Sequence, residues 1–477
     1  MNMGINLNLI IPEITLAGLA LLILALDLIF LHAKDKGRLG WLAAGGCVGV
    51  IGLLVWHHSA QGEILQSFLV DPFAFIFKLL LLAAAAICCL SAVDFANKQI
   101  RYPGEFFALI LFSTLGLMLM VSAGDLLLLY LGLELSTISL YALAAMQKDK
   151  PKSGEAGLKY LIMGAVSSAV LLYGASLLYG VTGTTVFARM DLTLLDGPLL
   201  LIGLVMVLGA FAFKITAVPF HMWAPDVYQG APTPVTGYLS VASKAAGFAA
   251  LIRIFMGPLV LLNGQWIILV TLLAALSMIV GNLIAIPQTN IKRMLAYSGI
   301  AQAGYILIAI AAANEKGITA AIFFLFQYVF TNLGAFIIVS LVGSAKGNDE
   351  ISSYAGLSRK NPLLAVCMLV LLLSLGGIPP LSGFWSKVFL FWAGAEQGLY
   401  SLVFIGVLAT VVSLYYYLMV ARQMYIAEPV DDTSVKVGLP AALALALCTI
   451  AVLALGYPKP WLDLAQAAAR LFNLPGN

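Results

Sequence analysis

Glu134, Lys214, Lys244 and Lys387 each stand inside a long apolar run of a 477-residue chain. A charged side chain at the centre of a bilayer costs about 2.5–3.5 kcal/mol on insertion scales. Such a position keeps its charge only where it is paired, hydrated or able to be discharged. A lysine or glutamate can hold a proton and release it. A metal cation instead asks for oxygen ligands that lysine does not offer. Three lysines and a glutamate at this depth therefore point to proton transfer through a membrane.

Their surroundings suggest separate roles. Glu134 lies about ten residues into the run GDLLLLYLGLELSTISLYAL, with Tyr130, Thr137 and Ile138 as its helical neighbours. Lys214 precedes a proline-rich interruption in GAFAFKITAVPFHMWAPDVYQGAPTPV and is the natural partner of Glu134. Opposite charge favours the ionised form of a buried group, so a lysine beside a movable carboxylate acts as a proton switch. The competing readings are a neutral Glu134 bonded to a neighbouring helix and a Lys214 that snorkels to the interface. Lys244, in TGYLSVASKAAGFAALIRIF, is too deep to snorkel, and small residues (Ala242, Ser243, Ala245, Ala246, Gly247) leave room for water or close packing. Lys387 follows a second interruption, in LSLGGIPPLSGFWSKVFLFW. Between Lys244 and Lys387, the run FFLFQYVFTNLGAF supplies Gln327, Tyr328, Thr331 and Asn332, which suit a hydrogen-bonded water path and equally suit polar helix packing. Arg253 reads as an interfacial anchor, Lys78 and Asp27 as helix-end charges with local partners, and His221, Asp226 and Tyr228 as positioning groups.

The elements that must hold these residues are helices in a bilayer. Hydrophobic residues make up 62% of the chain and charged residues 10%, with a mean hydropathy of +1.02, against about 25% charged in soluble domains. The expected fold is an all-α polytopic membrane protein. Apolar runs at 8–31, 39–57, 70–93, 104–122, 125–146, 156–180, 197–219, 234–257, 265–286, 292–313, 317–343, 362–395, 398–421 and 438–457 predict about fourteen transmembrane helices. An amphipathic segment at 461–472 reads as interfacial. No lysine or arginine precedes the first run, so it reads as a retained helix rather than a signal peptide.

Loops after odd-numbered helices carry most of the basic residues: Lys34, Lys36, Arg38, Lys98, Arg101, Lys148, Lys150, Lys152, Lys159, Lys292, Arg293, Lys346, Arg359, Lys360, Arg422 and Lys436. The loops between them carry little beyond Arg189 and Lys316. The positive-inside rule then puts both termini on the periplasmic side. Proline and glycine break the seventh and twelfth helices, each beside one lysine. Five helices separate the two breaks, so the units around them have inverted topology, the pattern that marks ion sites in transporters. A net charge of +3 without a basic patch gives no reason to expect nucleic acid. The five cysteines lie in apolar runs and form no CxxC, which argues against an iron–sulfur, haem or zinc site in this chain.

The stretches WAPDVYQGAPTPVTGYLSVASKAAGF, NIKRMLAYSGIAQAGY and GGIPPLSGFWSKVFLF closely resemble the antiporter-like membrane subunits of respiratory complex I, and the similarity runs through nearly the whole chain. The resemblance implies three N-terminal helices over 1–103, a five-helix repeat over 104–257, an inverted repeat over 258–422, and a final helix with an interfacial segment over 423–477. It implies a proton relay on Glu134, Lys214, Lys244 and Lys387, with Tyr130, Gln327, Tyr328 and Thr331 as a supporting polar path. Some members carry a histidine in the eleventh helix, where this chain offers only Gln327 and Tyr328. NADH, FMN, iron–sulfur clusters and quinone would be bound by other subunits, and this chain would hold no cofactor or metal. Its partners would be other membrane-arm subunits, lipid and protons in a bacterial inner membrane. A subunit of an Mrp-type cation/proton antiporter is the alternative, and a scaffold whose buried charges serve assembly is a third reading.

Overall fold

The computed structural model describes residues 6–29, 36–58, 60–192, 197–429 and 434–472. Lys34 and the end of the expected first span lie outside them. The chain is a helical bundle: α1 (Ile11–Ile29), α2 (Leu39–Trp56), α3 (Pro72–Ser91), α4 (Val93–Gln99), α5 (Pro103–Val121), α6 (Leu126–Ala144), α7 (Pro151–Thr182), α8 (Pro198–Lys214), α9 (Trp223–Gly230), α10 (Thr233–Tyr238), α11 (Lys244–Phe255), α12 (Asn263–Ala285), α13 (Ile291–Ala311), α14 (Glu315–Lys346), α15 (Leu357–Lys360), α16 (Pro362–Gly376), α17 (Ser382–Glu396), α18 (Tyr400–Tyr425), α19 (Leu439–Ala454) and α20 (Lys459–Ala469). A hairpin of β1 (Gly62–Ile64) and β2 (Phe68–Val70) lies between α2 and α3, an element the apolar pattern did not announce.

Sequence chemistry sets the boundaries. Proline opens α3, α5, α7 and α8, where a missing amide hydrogen costs nothing. Asp71, Asp125 and Asn314 accept hydrogen bonds from the first-turn amides of α3, α6 and α14. Gly183 and Gly347 end α7 and α14 in the left-handed conformation.

Among the described residues, eleven helices are long and apolar enough to cross a membrane. The expected fourteen are therefore not all full-length spans. The shorter α8 and α16 are the first halves of the two broken helices, and α19 meets α20 at an 87° bend. Both expected breaks are present. After α8 the chain turns through Thr216 (φ 64°) and a cis Val218–Pro219 bond into α9. After α16, Gly377 (φ 82°) and a cis Pro379–Pro380 bond lead into α17. A third irregularity was not expected. The 234–257 run is not one regular helix, because a π-helical segment, Leu239–Ser243, separates α10 from α11 directly before Lys244.

Burial sorts the helices. The span Thr233–Phe255 is 100% buried, and α13 and α14 nearly so, whereas most of α7, α12 and α18 faces outward with apolar side chains. The broken α10–α11 span and α13 and α14 thus form the centre of the bundle, and Lys244 lies on its most enclosed member.

One brace joins the N-terminal helices to this centre. Arg253 on α11 donates to both carboxylate oxygens of Asp71, at 2.8 and 3.1 Å, and to the Val121 carbonyl at 3.0 Å. It is a buried pair rather than the expected interfacial anchor, and Asp71 also caps α3. Asp71→Asn leaves the guanidinium without compensating charge, which typically costs about 3–5 kcal/mol. The variant is expected to unfold at lower temperature in a detergent thermal ramp, and an unchanged midpoint would discount the brace. Asp27 pairs locally with Lys36 at 2.9 Å, as expected, whereas Lys78 of α3 forms a buried pair at 2.7 Å with Glu13 of α1, a partner distant in sequence rather than local.

Candidate functional site: a line of buried lysines

Lys214 is the last residue of α8, and the break after it lets the side chain turn into the bundle. Its Nζ donates to Thr137 Oγ1 at 2.9 Å, one turn along α6 from Glu134. Glu134 accepts instead from the Ser168 hydroxyl of α7. The direct Glu134–Lys214 pair expected from the sequence is therefore not formed; each of the two side chains bonds a hydroxyl instead. Glu134 and Tyr130 are half-buried on the outward face of α6, beside the exposed Leu127, Leu131 and Ile138. Lys214 itself is 4% exposed.

Close helix packing leads from Lys214 to Lys244. A Cβ at Gly247, one turn beyond Lys244 on α11, would lie 3.3 Å from Lys214 Cγ, so the lysine stem runs over that glycine. Lys244 is 3% exposed, and its Nζ donates to the Gly299 carbonyl of α13 at 2.7 Å. The space at Gly299 is equally tight. A Cβ there would lie 2.9 Å from Lys244 Nζ and 3.0 Å from Tyr328 Oη.

Lys387 lies one turn into α17 and reaches back to the C-terminus of α16. Its Nζ donates to Leu375 O at 3.1 Å and Gly376 O at 3.4 Å, and stands 4.6 Å from the centre of the Tyr305 ring. The exposed carbonyls of a helix C-terminus and the face of an aromatic ring both attract a cation without supplying a full negative charge. All three lysines thus rest on neutral oxygens, and among the described residues none forms an ion pair. An ammonium held this way is free to lose its proton without leaving a buried carboxylate uncompensated.

The expected supporting path divides. Tyr328 stands beside Lys244 with a buried hydroxyl that has no hydrogen-bond partner among the described residues. Thr331 bonds Gln327, through O at 2.6 Å and Oε1 at 3.1 Å, so these two close on each other. Asn332 donates to Ser240 in the π-helical segment at 2.7 Å. Sequence reasoning missed a second set between the lysines: Ser298 and Gln302 on α13 and Tyr417 on α18. Single hydroxyls and amides in apolar runs give no sign of which partners they will meet. At the lysine-rich face Asp226 of α9 holds Lys159 of α7 and Arg293 of α13, both at 2.7 Å, and so fixes the second half of the broken helix. A polar cavity of about 560 Å³ opens at this face, lined by Lys150, Lys152, Lys292 and Asp349 among others.

The model of the NADH:quinone oxidoreductase/Mrp antiporter transmembrane family matches residues 123–413, a region that holds Glu134 and all three lysines. The chain belongs to this family. A Moorella thermoacetica protein named NADH-quinone oxidoreductase subunit N is 45% identical over 98% of the chain and 100% of its own length. A chain of respiratory complex I from Thermus thermophilus, 34% identical, superposes with a TM-score of 0.82 over 96% of this chain and all of that one. A chain of the Mrp complex from a Dietzia species reaches a TM-score of 0.88 at 21% identity over 98% of each chain, a likeness of fold alone. Family members are thus similar along the whole chain, including α1–α5 ahead of the matched region.

Proposed function

We propose that this chain is a proton-translocating membrane subunit of an NADH–quinone oxidoreductase. In this reading it works as part of a translocase whose redox chemistry lies elsewhere. NADH, FMN, iron–sulfur clusters and quinone are bound by other subunits, and this chain contributes the proton step. The observation that carries the proposal is the line of three buried lysines on neutral partners, with Glu134 near one end. Glu134, half-buried on an outward face, is the group a neighbouring subunit can reach. A change of charge there alters the field at Lys214, whose ammonium rests on Thr137 of the same helix as Glu134, and the proton passes on through Lys244 to Lys387. The chain crosses the bacterial inner membrane fourteen times with both termini periplasmic, and 104–257 and 258–422 form the inverted repeats.

The fold likeness to the Mrp chain keeps a cation/proton antiporter subunit as the second reading. Isolation from the native host separates the two. The chain is expected to co-purify with flavin- and iron–sulfur-containing subunits that oxidise NADH. Recovery with other antiporter-like chains alone, without flavin or iron, would favour the second reading.

A further inference from the structure

We infer that Ser298, Gln302 and Tyr417 connect Lys244 to Lys387, as a hydrogen-bonded ladder on α13 and α18; the inference rests on the proton-relay reading above. Ser298 is the residue next to Gly299, whose carbonyl holds Lys244. Its Oγ lies 2.5 Å from Tyr417 Oη. Gln302, one turn further along α13, donates Nε2–H to Tyr417 Oη at 3.3 Å and to Leu375 O at 3.2 Å. Leu375 O is the same carbonyl that accepts from Lys387 Nζ at 3.1 Å. The ladder starts beside one lysine and ends on the acceptor of the other.

Burial and unsatisfied groups support transfer over simple packing. Ser298, Gln302 and Tyr417 are each 1% exposed. Buried polar atoms are nearly always hydrogen-bonded, yet Tyr328 Oη near Lys244 and Gln302 Oε1 near Lys387 have no partner among the described residues. Each of the two suits a bridging water, one at either end of the ladder. The proton balance closes. Lys244 passes a proton through water to Ser298 Oγ, and Ser298 passes its own to Tyr417 Oη. Tyr417 then passes its own through water at Gln302 Oε1 to the Lys387 amine. Each hydroxyl gains one proton and loses one, so Lys244 ends neutral and Lys387 charged. Gln302 is the positioning residue, because its amide orients the Tyr417 hydroxyl without carrying a proton itself.

The test uses the intact complex in proteoliposomes with Tyr417→Phe, Ser298→Ala, Ser298→Thr and Lys244→Ala. Tyr417→Phe and Ser298→Ala are expected to assemble and to oxidise NADH normally with an artificial acceptor. Coupled turnover with quinone should fall by about tenfold, a barrier increase of about 1.4 kcal/mol, and its H2O/D2O isotope effect should rise. Ser298→Thr, which keeps the hydroxyl, should restore both. Wild-type turnover and isotope effect in either assembled variant, with Lys244→Ala impaired, overturn the ladder and leave the relay standing. A silent Lys244→Ala overturns the relay itself. If Tyr417→Phe fails to assemble, Ser298→Ala decides the question on the same readouts.

Discussion

Lys244→Ala is expected to leave the subunit folded and the complex assembled while coupled NADH–quinone turnover and proton pumping fall by more than about tenfold. The two effects separate because of how the lysine is held. It donates to the carbonyl of Gly299 and, among the described residues, forms no ion pair, so removing it strands no opposite charge. A buried ammonium is a cost to insertion of about 2.5–3.5 kcal/mol, so the alanine variant should be at least as stable as the parent. Blue-native electrophoresis and a detergent thermal ramp read assembly, and proton uptake into proteoliposomes reads function. Loss of assembly with full specific activity in the surviving complex would instead assign Lys244 a structural role.

Gly299→Ala should produce nearly the same loss without touching any titratable residue. The new methyl would stand 2.9 Å from Lys244 Nζ, closer than such atoms approach one another, and 3.0 Å from Tyr328 Oη, a very tight contact. Both are ends of side chains, so the structure yields by moving the ammonium off its carbonyl, and α13 is not forced apart. Alanine also favours the helix over glycine by about 1 kcal/mol, which works against a folding defect. Pumping and coupled turnover are expected to drop by about tenfold with assembly intact. Adding Tyr328→Phe, which removes one of the two crowded atoms, should recover part of the activity. Full activity in Gly299→Ala would mean that the contact between Lys244 and the 299 carbonyl is dispensable.

Much of the fold was legible because membrane insertion leaves few ways to satisfy a backbone. Long apolar runs become helices, and the prolines and glycines around Pro219 and Pro380 mark the two breaks that the structure contains. The π-helical segment before Lys244 was not legible, because LSVAS carries no proline or glycine. The site divides in the same way. Lysines in apolar runs stand out by cost alone, which is how Lys214, Lys244 and Lys387 could be singled out. Their partners could not be. Thr137, Gly299 and Leu375 hold the three ammoniums, two of them through backbone carbonyls that any residue possesses. Pairing Glu134 directly with Lys214 followed from charge, whereas the structure gives Lys214 the Thr137 hydroxyl and Glu134 the Ser168 hydroxyl. Tyr417 belongs to the run SLYYYLM, where three tyrosines look alike until α18 is set against α13.

The central claim is that Lys244 must give up its proton during turnover. Arginine at 244 keeps the positive charge and cannot be deprotonated within a protein. Proton-to-electron stoichiometry of the Lys244→Arg complex in proteoliposomes is therefore the most direct measurement. An assembled complex with normal NADH oxidation by an artificial acceptor, but with coupled quinone turnover and pumping close to zero, is the predicted result. Wild-type stoichiometry and turnover would contradict the account, since a fixed charge at 244 would then suffice.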